Sequence, residues 1–287
     1  MKLFAFALIC TISYMSCFSQ DSTKSRSLYI ATNFSMVPVI KITGTDTGYH
    51  NALSISPSLN FRSKNGWGIR YSPSIITSGT NPGIYMHTIS AGYRNKGNKS
   101  MDLSFTYSHF FISKNADIPY TPIHNELYLS LGYTKKWLQP LFSSSIGFGR
   151  SLEASSFIPY DISLSGGVSH EFGWEDKGLF SYIGFSPSLL LNAGTNEYFS
   201  FLCASRYLSH TTKFDSYVLK GTKEKSSIAS PSPKLDFRNI ELDLETTVRA
   251  RSFSITPSGA IFFPVSGLYR SIDGFWQISL KYDLKHA

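Results

Sequence analysis

The sequence predicts an all-β chain, a closed antiparallel transmembrane β-barrel of about 12 strands that follows a cleaved signal peptide. Three observations predict it. Between Asn51 and Leu284, stretches of roughly ten residues with every second residue apolar recur along the chain. Short polar turns and longer loops alternate between them. Charged residues make up 16% of the chain and aromatic residues 15%, where about 25% charged is usual. That balance suits an outer wall facing hydrocarbon, with aromatic rims.

The first segment, Met1 to Ser19, reads as a secretory signal. Lys2 gives the charged start, Leu3 to Ile12 the apolar run, and Cys17-Phe18-Ser19 a small-x-small cleavage site before Gln20. The run falls short of the ~20 residues that span a bilayer. Cleavage before Cys17 with lipid attachment is the alternative; Tyr14 stands against it, where such sites want an aliphatic residue. Residues 20–287 then form one domain without a helical anchor. Only Cys203 remains after cleavage, so no internal disulfide is expected.

The strands follow in order. Successive side chains of a strand point to opposite faces. Residues 28–40 put Leu28, Ile30, Phe34, Met36 and Ile40 on one side. Residues 51–62 set Leu53, Ile55, Leu59 and Phe61 against Ala52, Ser54, Ser56, Ser58, Asn60 and Arg62. The third and fourth strands are 67–76 and 85–94, the fifth 101–111, the sixth 125–135. The seventh to ninth are 138–150, 161–172 and 179–191. Residues 238–249 carry Ile240, Leu242, Leu244 and Val248 opposite Glu241, Asp243, Glu245 and Thr247. Residues 253–263 and 275–284 complete the set.

Residues 63–66, 95–100, 135–137, 175–178 and 250–252 read as short turns. Residues 41–50, 114–124, 151–160, 193–236 and 264–274 read as longer loops, with 79–83 the short member of that group. An even strand count with turns at one end and loops at the other suits closure. Lipid offers backbone groups no partner, so a spanning sheet must leave no edge. Ser56-Pro57-Ser58, Ser72-Pro73-Ser74, Ser186-Pro187-Ser188 and Thr256-Pro257-Ser258 each place proline mid-strand on the apolar face. Proline cannot donate to a ladder, so bulges or kinks are expected there.

Over residues 27 to 285 the chain resembles the outer-membrane β-barrel superfamily of Gram-negative bacteria. The resemblance rests on the signal segment, the repeated hairpins and the last strand, Trp276-Gln-Ile-Ser-Leu-Lys-Tyr-Asp-Leu284. It implies an outer-membrane location, contact with membrane lipid and lipopolysaccharide, and recognition of the last strand by the barrel-assembly machinery. Such strands usually end on a terminal aromatic; here Leu284 is followed by Lys285-His286-Ala287. The resemblance names an architecture, and one barrel plan hosts many functions.

By parity the interior carries Arg62, Arg70, Arg94, Asp102, Glu126, Lys135, Glu241, Asp243, Glu245 and Lys281. Two readings stay open. Separated acidic and basic walls would orient small solutes in a pore. A salt-bridge network would plug a narrow barrel, since 12 strands lie between the filled 8-strand and the channel-bearing 16-strand sizes. The loop at 193–236 is far longer than the usual ~4–6 residues. Lys213, Tyr217, Lys220 and Lys223 there could bind lipopolysaccharide phosphates or a protein, which makes an interaction protein the competing class.

Catalysis comes third. His109 faces outward between Tyr107 and Phe111, with no serine on the same face of its strand. His170 and Ser181 share the outer face, and a tight turn between them would set them opposite as a base and nucleophile. The seven histidines show no metal-ligand spacing and there is no glycine-rich phosphate loop, so neither metal nor cofactor is expected. A net charge of +8 on an exported chain, with no concentrated basic stripe outside one loop, does not point to nucleic acid.

Overall fold

The computed structural model describes residues 27–43, 46–79, 81–95, 100–113, 123–133, 137–149, 160–177, 179–195, 235–265 and 273–284. They form one antiparallel sheet. Its strands are β1 (Ser27–Thr43), β2 (Asp46–Arg62), β3 (Trp67–Ile76), β4 (Gly83–Arg94), β5 (Met101–Ile112), β6 (Ile123–Tyr133) and β7 (Gln139–Gly149). β8 (Tyr160–Ser169), β9 (Phe172–Lys177), β10 (Phe180–Gly194), β11 (Asp236–Ala250), β12 (Phe253–Pro264) and β13 (Asp273–Leu284) follow.

Each strand pairs with its sequence neighbours, except that β8 pairs with β10 and not with β9, and β1 also pairs with β13, from Leu28↔Leu284 to Ser35↔Gln277. The sheet is therefore closed. β8 and β9 both pair with β10, one after the other, and make a single wall strand broken at His170 and Glu171. The wall has 12 strands counted this way, as the alternation predicts. No second sheet stacks on it among the described residues.

Closure sorts the side chains by parity. Leu59, Ile69, Tyr71, Ile89, Phe105, Ile146, Leu189, Leu244, Ile261 and Trp276 are exposed on the outside. Ser54, Ser58, Ser72, Ser108, Ser145, Ser163 and Ser165 are buried within. A soluble domain would bury the first set and expose the second. This is the inside-out arrangement of a spanning barrel, in which lipid covers the apolar face.

The structure corrects three expectations. The loop expected at 41–50 is mostly strand: the first hairpin keeps its ladder through Lys41↔Gly48 and Thr43↔Asp46. With 17 residues per arm, it outruns the ~9–11 a tilted strand needs to span. The eighth wall strand does not end at Phe172 but resumes after its break and reaches Lys177, which pairs with Phe180.

The prolines, third, do not each mark a bulge: Pro73 directly precedes the register shift at Ser74/Ile75, but none falls at Pro57, Pro187 or Pro257. Register shifts fall at Ser74/Ile75, Ile123/Asn125 and Asn192/Ala193. The prolines instead coincide with gaps in ladders whose register is otherwise kept. Pro57 and Pro73 lie in the gap between Ile55↔Ile75 and Leu59↔Tyr71. Pro187 faces the β8/β9 break, and Pro257 lies in the gap between Glu245↔Ser258 and Val248↔Ile255. A missing N–H removes ladder bonds without adding a residue, so the strand stays in step.

Candidate functional site: the barrel lumen

The lumen has two unlike halves. Under β1 to β6 lies a cavity of about 530 Å³. Under β8 to β12 the space is filled by hydrogen-bonded polar side chains.

The cavity changes character along its length. At the short-turn end it is lined by Arg62, Arg70, Arg94 and Asp102. Asp102 accepts from Arg94 Nε at 2.8 Å and from Arg94 Nη2 in a two-pronged pair. The side chains of this pair are 50% and 38% exposed, so the cavity opens here. Arg62 forms no ion pair or side-chain hydrogen bond among the described residues, and its guanidinium is left to the cavity. The middle is a field of hydroxyls, Ser56, Ser72, Ser74, Thr88, Ser90 and Thr106 among them. Ser56 Oγ donates to Ser74 Oγ at 2.9 Å, and Ser90 and Ser108 share a bond of 2.9 Å.

At the loop end the cavity stops against Val37, Tyr85, Met86 and Phe110. Each is at most 4% exposed. Phe110 sits two residues beyond inward Ser108 and shares its face. Tyr85 and Met86 are both buried because the register shift at Ser74/Ile75 breaks the alternation opposite them. The apolar layer continues round the wall. Ala260, Phe262 and Phe275 form a buried cluster, and the β1–β13 register, carried on past Ser35↔Gln277, brings Val37 level with Phe275.

The filled half centres on Asn192, which is wholly buried. Its Nδ2 donates to Asn239 Oδ1 at 2.7 Å and to Glu241 Oε2 at 2.5 Å. Its Oδ1 accepts from Ser165 Oγ. Thr195 Oγ1 donates to Asp161 Oδ1 at 3.0 Å and accepts from the Ile162 amide at 2.9 Å. These bonds tie the base of the long loop to β8. The Arg238 guanidinium packs where a Cβ on Gly194 would stand, at 2.6–2.8 Å.

Near the short-turn end, Tyr182 donates to Glu171 Oε1 and lies over Gly184 and Gly173, with the Arg249 guanidinium 5.6 Å from its ring centre. A side chain on Gly184 would reach within 2.6 Å of the tyrosine hydroxyl.

Of the predicted interior residues, Arg62, Arg70, Arg94 and Asp102 come together around the cavity. Glu126 lies elsewhere, fully buried, accepting from Ser145 Oγ at 2.7 Å. Lys281 turns to Asp283 at 2.8 Å and sits 4.4 Å above the Tyr29 ring. Glu241, Asp243 and Glu245 do share one inner row. Glu241 is held by Asn192, and Asp243 accepts from Ser188 Oγ at 3.2 Å. Among the described residues no cation is in ion-pair reach of that row, which takes its hydrogen bonds from Asn192 and Ser188 instead. Lys135 and the loop candidates Lys213, Tyr217, Lys220 and Lys223 lie outside the described residues. The pattern gave no sign of Asn192, Arg238 or Tyr182, although the inward parity of Asn192 and Tyr182 was available.

The outer-face histidines bond polar neighbours beside aromatic rings. His109 shares a 2.8 Å hydrogen bond with Asn125 Oδ1 and meets Phe111 edge-on at 4.5 Å. His170 bonds the Trp137 carbonyl at 2.5 Å. Its amide bonds Pro187 O, whereas Tyr182 pairs with Glu175. His170 and Ser181 are thus some six residues apart along the wall, about 20 Å at strand rise. The expected juxtaposition does not occur, because β9 runs on through Glu175 to Lys177, residues foreseen as turn, and the chain reverses only between Lys177 and Phe180.

No protein-family model and no curated protein matches the chain. Solved structures do resemble it. An outer membrane channel from Pseudomonas putida F1 aligns over 92% of this chain and 97% of its own, at 8% identity and TM-score 0.46. The translocator domain of the autotransporter NalP from Neisseria meningitidis aligns over 97% and 95%, at 9% identity and TM-score 0.41. OccK5 (OpdH) from Pseudomonas aeruginosa aligns over 91% and 99%, at 10% identity and TM-score 0.31. Likeness this remote leaves the lumen to be read from its own side chains.

Proposed function

We propose that the chain is an integral outer-membrane barrel for small solutes, entered from the short-turn, periplasmic end and shut at rest at the loop end. The observation that carries this reading is the graded lumen: an arginine rim, a hydroxyl midsection, and an end built from Val37, Tyr85, Met86 and Phe110. A narrow apolar constriction expels water and so blocks ions without a steric plug. The hydrogen-bonded half under β8 to β12 narrows the remaining path. The rim is basic, with three arginines against one aspartate, and favours anions.

Location in the outer membrane is supported by the exposed apolar belt, since contiguous surface of that kind is not left to water by soluble proteins. A heat-dependent gel mobility and extraction only with detergent are the expected signs of it.

Planar-bilayer recording tests the closed lumen. The wild-type barrel is expected to show no steady conductance, and Phe110→Ser with Met86→Ser to open one by admitting water to the apolar end. Steady wild-type conductance refutes the reading.

A further inference from the structure

We infer that the cavity under β1 to β6 is a binding site for an amphipathic anion, a carboxylate head on a short apolar tail, lying head toward the short-turn end. The inference rests on the blind lumen proposed above and adds to it the class of ligand.

Three features of the cavity specify that chemistry. The head end holds Arg62, whose guanidinium has no protein acceptor among the described residues, beside Arg70, with Arg94 already committed to Asp102. A guanidinium facing a confined space recognises a carboxylate through paired N–H groups. The far end is the edges of Val37, Tyr85, Met86 and Phe110, which offer no charge and suit a methyl terminus. Between them the span fits a tail: Arg62 is level with Gly68 and Gly92 across β3 and β4, and Met86 stands six residues further, about 20 Å along the wall. The volume of about 530 Å³ is that of a small-ligand pocket. An inorganic anion would fill the head end alone and leave the apolar end without purpose. A neutral alkyl compound would leave Arg62 unmatched.

The test is equilibrium binding of labelled acetate, butanoate, hexanoate and octanoate, with octanol as the uncharged control. The full-length barrel is held in phosphatidylcholine nanodiscs and the signal of empty discs is subtracted. Saturable binding is expected, tightening by about threefold to fourfold per added methylene. Arg62→Gln should weaken octanoate by about tenfold or more, with Arg70→Gln as a second head-end variant. Phe110→Asn should flatten the chain-length series. Heat-dependent gel mobility confirms that each variant is folded.

Acetate binding as tightly as octanoate would reduce the site to a plain anion pocket and overturn the inference. Equal binding of octanol and octanoate, or no saturable binding, overturns it as well. Those failures are separate from failure of the closed-barrel reading. A silent bilayer without octanoate binding sinks only the ligand, whereas a conducting wild-type barrel sinks the closure whatever binds.

Discussion

Pro57 and Pro73 face each other across the β2–β3 seam, in a position where both residues would exchange backbone hydrogen bonds. The flanking bond from the Thr77 amide to the Leu53 carbonyl fixes that parity. Two donors are therefore missing at one place in the wall. The inner face compensates: Ser72 Oγ donates to the Pro57 carbonyl at 2.8 Å, and the Ser56–Ser74 hydroxyl bond crosses the same gap. At Pro257 the Thr247 and Thr256 hydroxyls meet at 3.2 Å. The serine and threonine residues that flank these prolines thus serve as lumen-side staples for ladder bonds that proline removes.

Ser72→Ala leaves the Pro57 carbonyl without a donor in a wall that lipid covers. It is expected to cost about 1–3 kcal/mol, read as a lower urea midpoint in vesicles. In a Pro73→Val background the restored amide can donate to the same carbonyl, and most of that cost should vanish. A double-mutant cycle measures the coupling; additive effects would mean that the hydroxyl does not replace the ladder bond.

Asn192 joins β8, β10 and β11 from the inside, through Ser165, Asn239 and Glu241. Asn192→Ala strands three buried polar partners at once. A loss of about 2–4 kcal/mol is expected by the same urea titration. Ser90→Ala, which removes one bond between hydroxyls beside the open cavity, should cost under about 1 kcal/mol because water can take its place. Similar losses for the two would mean that the lumen is equally wet on both sides.

The Arg94–Asp102 pair looks strong in geometry but is half exposed at the mouth. Exposed ion pairs contribute little after side-chain entropy and screening. Asp102→Asn should shift stability by less than about 1 kcal/mol, and it should release Arg94 to join Arg62 at the head of the cavity. Octanoate affinity should rise in that variant, not fall.

Two glycines of the wall separate space from propensity. A Cβ on Gly167 would stand 2.0 Å from the Leu189 carbonyl oxygen, whereas on Gly132 its nearest neighbour would be 3.9 Å away. Gly167→Ala must push backbone apart and should cost about 2–3 kcal/mol. Gly132→Ala should stay within about 0.5 kcal/mol. Refolding yield and urea midpoint compare them directly.

How much of this was legible beforehand depended on what period-two alternation can carry. Closure, strand count and the outward set from Leu53 to Trp276 followed from it, because a strand's two faces are fixed by parity. The apolar end of the cavity did not. Phe110 breaks the polar-inside pattern near a strand end, and the burial of both Tyr85 and Met86 needs a register shift that no local residue type announces. Shear was equally hidden: which inward residues of distant strands become level, such as Val37 and Phe275, depends on the register summed around the wall. The His170–Ser181 expectation failed for a related reason, since it assumed a turn two residues earlier than the chain makes.

The acidic row gives the sharpest test of what fills the lumen. Glu241 is 3% exposed, lies opposite Phe262 in the β11–β12 pairing, and accepts from an asparagine amide and no cation among the described residues. A buried carboxylate held only by neutral donors sacrifices hydration that a neutral side chain would not. Glu241→Gln keeps an oxygen for Asn192 and removes a buried ionisable group two residues from Asp243 on the same face. It should therefore raise stability by about 1 kcal/mol or more. Glu245→Gln, at an exposed inner position nearer the mouth, should change stability little. A Glu241→Gln barrel that unfolds at lower urea than the wild type would show instead that the ionised carboxylate is matched by a cation, as a salt-bridged plug requires.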